Sequence, residues 1–326
     1  MTETAAVLID SHGGPEVLKW GRRTLPTPGP HDVCVKHAAV GLNYIDVYHR
    51  TGAYPMTLPG VLGYEAAGVV ESVGSEVRGF GVGDRVAYAT APLGAYSEHH
   101  IVPEDRLVAL PDDITDMQAA AIMLQGLTAQ YLLRRTCQVE AGDTILIHAA
   151  AGGVGVLLSQ WASHLGARVI GTVGSKQKGA LAKARGCSDV IFYREDSVPE
   201  RIRDLTDRRG VRVVYDSVGA DTLLDSLDCL QPLGMLVSFG NASGPPPPLD
   251  VGSLGPKGSL FVTRPSLFHY MQPASVLRDA AAELFEVVRS GVVKIEIGQT
   301  FPLHDAATAH RELEARNTVG ATVLTI

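Results

Sequence analysis

Thr144-Ile-Leu-Ile-His-Ala-Ala-Ala-Gly-Gly-Val-Gly155 decides the fold. A short apolar run passes straight into a glycine-rich turn, and an apolar helical pattern over 154–165 follows. This strand, turn, helix order is the setting in which a dinucleotide fingerprint has physical meaning. The glycines Gly152, Gly153 and Gly155 allow a tight turn, close approach of backbone to a pyrophosphate and contact between helix and sheet. The helix N-terminus, opening at Val154, faces the phosphate charge. Ala150 stands where the first glycine of G-x-G-x-x-G is expected. Taken alone, the turn also reads as a purely structural glycine loop, so its surroundings decide.

Outward from this stretch, short apolar runs at 144–149, 168–173, 190–193, 212–216 and 235–239 alternate with helical patterns at 154–165, 176–184, 198–207 and 221–230. Such alternation predicts a parallel, doubly wound sheet with helices on both faces. Upstream, residues 1–110 read as strands at 5–9, 32–39, 67–73, 84–89 and 99–102 separated by Gly/Pro turns, an all-β, barrel-like pattern. A helical stretch over 116–135 links the two halves. Downstream come a helix at 274–290, alternation at 293–297, a helix near 306–316 and a strand at 321–326. Pattern alone assigns this tail to neither half. The predicted class is α/β, a β-rich domain joined to a doubly wound one.

A chain of 326 residues is about two domains long, and 45% apolar with 19% charged residues excludes disorder as its main character. The net charge of −7 provides no footprint for sequence-independent nucleic-acid binding. No apolar run approaches the roughly 18–20 residues that span a bilayer, and the opening Met1-Thr-Glu-Thr-Ala lacks a basic n-region before a long apolar stretch, which predicts a cytoplasmic protein. Cys34, Cys137, Cys187 and Cys229 are too scattered for a C-x-x-C site and read as buried free thiols. His99 and His100 are neighbours on a strand, so they point to opposite faces and do not form a ligand pair.

About 20 positions after the glycine turn, NAD-binding domains place an acid on the ribose hydroxyls. Here the run is Gly171-Thr-Val-Gly174-Ser175-Lys176-Gln177-Lys178, with no acid. Hydroxyl and ammonium groups suit a 2′-phosphate, so NADPH is the expected cofactor. The alternative places Lys176 and Lys178 on a solvated helical turn, where cations gain nothing from the macrodipole.

Eight segments, in order, resemble the zeta-crystallin-like NADPH:quinone oxidoreductases of the medium-chain dehydrogenase/reductase superfamily. They are Gly41-Leu-Asn-Tyr-Ile-Asp-Val-Tyr48, Gly52-Ala-Tyr54-Pro55, Gly63-Tyr-Glu-Ala-Ala-Gly68, Gly81-Val-Gly-Asp-Arg-Val86, Ala149-Ala-Ala-Gly-Gly-Val-Gly155, Val214-Tyr-Asp-Ser-Val-Gly219, Ser238-Phe-Gly-Asn241 and Val262-Thr-Arg-Pro-Ser266. The resemblance is greatest to bacterial quinone oxidoreductases. It implies that 1–125 and 267–326 form one GroES-like catalytic domain, with a Rossmann domain over 126–266 inserted. It also implies cofactor contacts from Gln125, Thr128, Tyr131, Gly152, Gly153, Val154, Gly174, Ser175, Lys178, Tyr193, Ser217, Phe239, Gly240, Asn241, Arg264, Ser266, Leu267 and Arg316. Close relatives often have Lys where this chain has Gln125, so a charge-based role does not carry over there. Arg264 and Arg316 also read as ordinary surface cations.

The zinc enzymes of that superfamily take a Cys and a His ligand from the segments that here contain Asn43 and Tyr64, and these supply neither thiolate nor imidazole. No metal is therefore expected, and without a Lewis acid the acceptor should take reducing equivalents readily. A quinone or activated enone fits. Asn43, Tyr48 and Tyr54 are the candidate catalytic residues, because an amide and phenols orient carbonyl oxygens while aromatic edges hold planar rings. Tyr44 and Tyr48, at i, i+4, alternatively supply core packing. The expected arrangement holds nicotinamide against acceptor in a cleft between domains. An enone or alkenal reductase, or a non-catalytic NADPH-binding protein, are the other readings. The resemblance further implies a homodimer joined through an edge strand near 259–262.

Overall fold

In the computed structural model, which describes residues 2–326, the chain divides into two units. The first holds residues up to Leu127 together with Met271–Arg289 and Ile295–Ile326; the second holds Thr128–Tyr270 and Ser290–Lys294. The first boundary falls two residues beyond the expected one, after Leu127, and the units differ from the expected bounds in two further places, each with a local contact. Tyr270 stays with the second unit, its ring stacked on Tyr131 with centroids 4.6 Å apart. Lys294 rejoins that unit because its N–H and C=O pair with the Gln160 side-chain amide at 3.0 and 3.1 Å.

The first unit begins with β1 (Thr2–Ile9), β2 (Lys19–Leu25) and β3 (Asp32–Leu42). Asn43 then caps helix α1 (Tyr44–Thr51): the Asp46 carboxylate three residues on accepts the Asn43 backbone N–H at 2.9 Å, and Gly52 ends the helix in the left-handed region at φ 82°. Five further strands follow, β4 (Gly60–Val61), β5 (Ala66–Val73), β6 (Arg85–Tyr88), β7 (His99–Pro103) and β8 (Val108–Ala109), and then helix α2 (Asp116–Tyr131). β1 lies between β2 and β4 in a small antiparallel sheet. β3 is antiparallel to both β5 and β7.

The second unit carries the predicted alternation as β9 (Thr144–Ile147), α3 (Gly153–His164), β10 (Arg168–Val173), α4 (Lys176–Ala184), β11 (Asp189–Phe192), α5 (Val198–Leu205), β12 (Val211–Asp216), α6 (Leu223–Asp228), β13 (Leu230–Ser238) and β14 (Phe261–Thr263), closed by α7 (Leu267–Tyr270). All six strands are parallel, in the order β11-β10-β9-β12-β13-β14. Numbered along the chain this is 3-2-1-4-5-6, the doubly wound Rossmann order. Leu146, Ile170, Val214 and Leu236 from its strands pack with Ile202 and Leu227 from its helices in a buried core.

The tail returns to the first unit as α8 (Ala274–Arg289), β15 (Ile297–Pro302), α9 (Ala306–Glu314) and β16 (Ala321–Thr325). β16 pairs with β3, so among the described residues the large sheet runs β15-β16-β3-β5-β6-β8, with β15 and β8 at its two ends. Leu303, Ala306, Ala309 and Leu324 share a core cluster with Ile9, Val33, Val70 and Tyr96. The strand expected at 293–297 lies instead at Ile297–Pro302, because alternation fixes faces and not the ladder, and the ladder to β16 begins at Ile297.

Candidate active site

In the second unit the expected cofactor residues collect along the carboxyl edge of the sheet, around the point between β9 and β12 where the strand order reverses. Open α/β sheets bind ligands there. β9 leads into the turn 148–152, in which Ala149 adopts φ 52° and Gly152 precedes α3. Two glycines make this turn fit. A Cβ on Gly155 would lie 2.3 Å from the Ala149 carbonyl oxygen, so helix and strand meet there only without a side chain. A Cβ on Gly171, in β10, would lie 2.6 Å from the Ala150 Cβ. The methyl at the fingerprint's first position is thus accommodated by a glycine on the neighbouring strand.

Gly174 and Ser175 follow β10, and the Ser175 hydroxyl caps α4 by accepting the Lys178 N–H at 3.3 Å. Lys176 and Gln177 are exposed on that first turn and Lys178 is half-buried. Tyr193, at the end of β11, stands over Gly174, where a Cβ would lie 2.6 Å from its hydroxyl oxygen. Beyond β12, Ser217 begins a loop gathered by Asp216, whose buried carboxylate accepts from the N–H groups of Val218 and Gly219 and the hydroxyls of Thr222 and Ser226. Beyond β13, Phe239, Gly240 and Asn241 form the next turn; Arg264, after β14, donates to the Ser238 and Gly240 carbonyls at 3.2 and 3.1 Å. That contact makes the exposed Arg264 side chain a brace for this turn. Ser266 opens α7 by accepting the His269 N–H, and Leu267 is buried behind it. Thr128 is buried on α2 and Tyr131 sits in the stack with Tyr270.

In the first unit, α1 organises a second cluster. Tyr44, Tyr48 and Tyr54 are half-buried, with ring centroids 5.6 Å apart for the first pair and 5.1 Å for the second. His49 meets the edge of the Tyr54 ring and its Nε2 lies 3.1 Å from the Tyr64 hydroxyl, while its Nδ1 is 3.0 Å from the Pro55 carbonyl. Burial lowers the His49 pKa, which favours the neutral imidazole. Asn43 is buried between the Glu65 carboxyl, 2.6 Å from its Nδ2, and the Gln125 amide, 3.1 Å from its Oδ1. Arg316 follows α9 in the same unit, exposed and at φ 61°. The structure therefore brings Asn43 and Gln125 into direct contact, and Tyr48 and Tyr54 into another.

Two buried groups here escaped sequence reasoning. Glu65 is fully buried, its second oxygen accepting the Leu124 N–H at 2.7 Å, and burial pushes its carboxyl up to about 8. His148 lies under the glycine turn, 3.0 Å from the hydroxyls of both Thr172 and Ser226, and burial lowers its pKa. The signal for each was a single ionisable residue at the end of an otherwise apolar strand run, Glu65 before Ala66-Ala-Gly-Val-Val70 and His148 after Ile145-Leu-Ile147. The adjacent pair His99 and His100 does split: His100 is buried with Nε2 on the Pro92 carbonyl, and His99 is half-buried beside Thr4 and Glu71. Among the described residues no group of three or more His, Cys, Asp or Glu converges to hold a metal ion. All four cysteines are free and buried.

A chain that combines a GroES-like β unit with a 3-2-1-4-5-6 sheet has the architecture of the medium-chain dehydrogenases and reductases. Residues 29–112 match the family described as alcohol dehydrogenase GroES-like domain, and residues 153–283 that described as zinc-binding dehydrogenase. The chain is 54% identical to a quinone oxidoreductase of Pseudomonas aeruginosa over 96% of its own length and 97% of that protein's. It is 45% identical to a 2-haloacrylate reductase of a Burkholderia species, covering 98% of each. The solved structure of Escherichia coli quinone oxidoreductase complexed with NADPH superposes with a TM-score of 0.97 at 47% identity, over 99% of this chain and 100% of that one. The chain belongs to the quinone oxidoreductases of the medium-chain dehydrogenase/reductase superfamily.

Proposed function

We propose that the chain is an NADPH-dependent reductase of quinones that works without a metal. The observation that carries this reading is the state of the two positions where the zinc enzymes place ligands. Asn43 is tied into an amide and carboxyl chain, and Tyr64 is bonded to His49. Neither supplies a thiolate or an imidazole to a cation. A planar acceptor with two carbonyl oxygens and a low barrier to reduction suits a cluster of an amide and phenols.

The residues fit NADPH. The N-terminus of α3, which Gly152 precedes with no side chain capping it, suits a pyrophosphate. Ser175 and Lys178, in a run over 171–178 that contains no Asp or Glu, suit a 2′-phosphate, and Tyr193 stands over Gly174 in the same run. Gly153, Val154, Ser217, Phe239 to Asn241, Ser266 and Leu267 are assigned to the rest of the cofactor, with Thr128, Tyr131, Gln125 and Arg316 as further contacts. When bound, NADPH supplies the reducing equivalents. The protein's own part is to hold and orient. Arg264 fixes the turn at 238–240, Asp216 fixes the turn at 217–219, and Tyr48 and Tyr54 hold a flat ring while Asn43 sets the hydrogen bonds around it.

The proposed assembly is a homodimer through β14. Among the described residues this strand pairs only with β13, leaving its other edge open, and Phe261 is 54% exposed on it. A cytoplasmic location accords with four free thiols. Among the described residues no helix is long and apolar enough to cross a membrane. The function is tested by mixing purified protein with NADPH and, side by side, a series of quinones, alkenals and haloacrylates. Quinones are expected to give the highest kcat/KM. A higher value for the alkenals or haloacrylates would reassign the chain to enone reduction, and no turnover with any would leave it an NADPH-binding protein.

A further inference from the structure

We propose that His148 is a positioning residue for the cofactor: a one-way hydrogen-bond chain from Thr172 through His148 and Ser226 to Asp216 ties the glycine turn after β9 to the loop 217–219 after β12, and so holds the two halves of NADPH in one register. The proposal deepens the NADPH reading and rests on it for its consequence in binding. Strand order says what the chain joins. The 2′-phosphate residues follow β10 and the pyrophosphate turn follows β9, so a dinucleotide laid along the carboxyl edge of the sheet crosses the reversal point and brings its nicotinamide half to the loops after β12 and β13. His148 stands at that reversal. Its backbone N–H donates to the Tyr215 carbonyl of β12 at 3.0 Å, and Ala150, two residues on, donates to the Thr172 carbonyl of β10 at 3.1 Å.

The side chains repeat this tie with a defined direction. The imidazole lies with Nδ1 3.0 Å from the Thr172 hydroxyl and Nε2 3.0 Å from the Ser226 hydroxyl, and Ser226 Oγ is 3.0 Å from Asp216 Oδ2. None of the four residues is more than 2% exposed, so bulk water supplies no alternative partner. The Asp216 carboxylate is ringed by donors. Its Oδ1 takes the N–H groups of Val218 and Gly219 at 2.8 and 3.1 Å, and the Thr222 hydroxyl lies 2.8 Å from both oxygens. A carboxylate only accepts. Ser226 therefore gives its one O–H to Asp216 and accepts from His148, which puts the imidazole proton on Nε2 and leaves Nδ1 to accept the Thr172 O–H. Burial, the largest influence on the His148 pKa, favours the neutral ring that this order requires. Every hydroxyl and ring proton in the chain then has an acceptor. The carboxylate at its end is the one that gathers the loop after Ser217, so a break at His148 loosens that loop. The turn of Ser175 and Lys178, which follows β10 on the other side of β9, has its own cap on α4 and stays as it is.

The test titrates the full-length protein calorimetrically with NADPH and with adenosine 2′,5′-bisphosphate, which carries the 2′-phosphate but no nicotinamide. In His148→Phe and in Ser226→Ala the NADPH affinity should fall roughly three- to ten-fold, the effect of one neutral hydrogen bond, while the bisphosphate binds as it does to wild type. His148→Gln, whose amide keeps a donor for Ser226, should restore most of the NADPH affinity. Combining His148→Phe with Ser226→Ala should lose no more than the larger single loss, because both break one chain. A merely structural role would move both ligands or neither, so equal losses for the two, or NADPH affinity unchanged in both single variants, would overturn the proposal. If His148→Phe does not fold, Ser226→Ala, which only removes an oxygen, carries the same comparison. Wild-type protein that binds neither ligand would remove the NADPH reading and the positioning role with it. The direction of the chain is read without any ligand. In 15N-histidine-labelled protein, His148 should carry its proton on Nε2 and none on Nδ1 from about pH 6 to about pH 8; a proton on Nδ1, alone or together with Nε2, would overturn the chain.

Discussion

Lys178 is the residue on which cofactor choice turns. It sits half-buried on the first turn of α4, beside the Ser175 hydroxyl and with no acid in the loop. A charge-assisted hydrogen bond contributes about 1.5–3 kcal/mol, equivalent to roughly ten-fold or more in affinity. Lys178→Ala is therefore expected to weaken NADPH by about that factor and leave NADH almost unchanged, as read by calorimetric titration of both; equal losses would show that the loop does not read the phosphate. Tyr54 is the corresponding residue for the acceptor. Its ring packs on Tyr48 and His49, so Tyr54→Phe keeps the packing and removes one neutral hydrogen bond, worth about 0.5–1.5 kcal/mol. Quinone turnover should fall roughly several-fold with NADPH affinity intact. Full activity in the Phe variant would return Tyr54 to the core. The identities of these residues were readable in the sequence because they lie in contiguous motifs. Glu65 and His148 were not, because their partners, Leu124 at one end and Ser226 at the other, are brought to them only by the fold.

At the scale of elements, periodicity located β10 and α4 to the residue and most others to within a few. Apolar alternation and helical spacing are local, and the parallel sheet imposes nothing that contradicts them. The strand near 295 was misplaced because its position depends on β16, a partner that local pattern does not contain. The tie between α1 and α9 was invisible for the same reason. Arg50, 1% exposed, donates to both Glu314 oxygens at 2.8 Å, to the Gly13 carbonyl and to His310 Nδ1. An arginine cannot accept, so His310 carries its proton on Nε2 and offers it to Tyr96, which in turn donates to Asp46. The pair is asymmetric. Glu314 keeps some access to water, with its side chain 31% exposed, whereas Arg50 has none. Glu314→Ala strands a buried cation and should lower stability by about 3 kcal/mol or more; Arg50→Met, which removes the cation and fills its volume, should lower it less. Urea unfolding of the two variants checks the order, and a larger loss in Arg50→Met would contradict this account of the tie.

For the whole molecule, the buried ionisable groups set how stability follows pH. His37, His100 and His310 are lowered by burial to about 4, 3 and 3, so they are neutral when folded and must take up protons on acid unfolding. Asp46 and Glu65 are raised by burial to about 7 and 8, so between the ordinary carboxylate range and those values the folded state holds two protons that the unfolded chain has released. Below the ordinary histidine value of 6.5 the three imidazoles outweigh the two acids and stability rises with pH; above it only the acids remain and stability falls to about pH 8. The urea midpoint should therefore be greatest near pH 6.5, and a midpoint still climbing between about pH 6.5 and pH 8 would show that these carboxyls are not held neutral. Domain class and cofactor family were legible from sequence across the entire chain, since motif order survives where contacts are unknown. The central claim is narrower, that this chain passes reducing equivalents from NADPH to a quinone with amide and phenol groups where relatives of the superfamily hold zinc. The most direct measurement is quinone-dependent NADPH oxidation by one protein sample before and after exhaustive dialysis against a chelator, with its metal content determined alongside. The account expects rapid quinone-dependent oxidation, unchanged by chelation, in protein holding far less than one metal per chain; one tightly bound metal per chain, with activity lost on its removal and restored on its return, would contradict it.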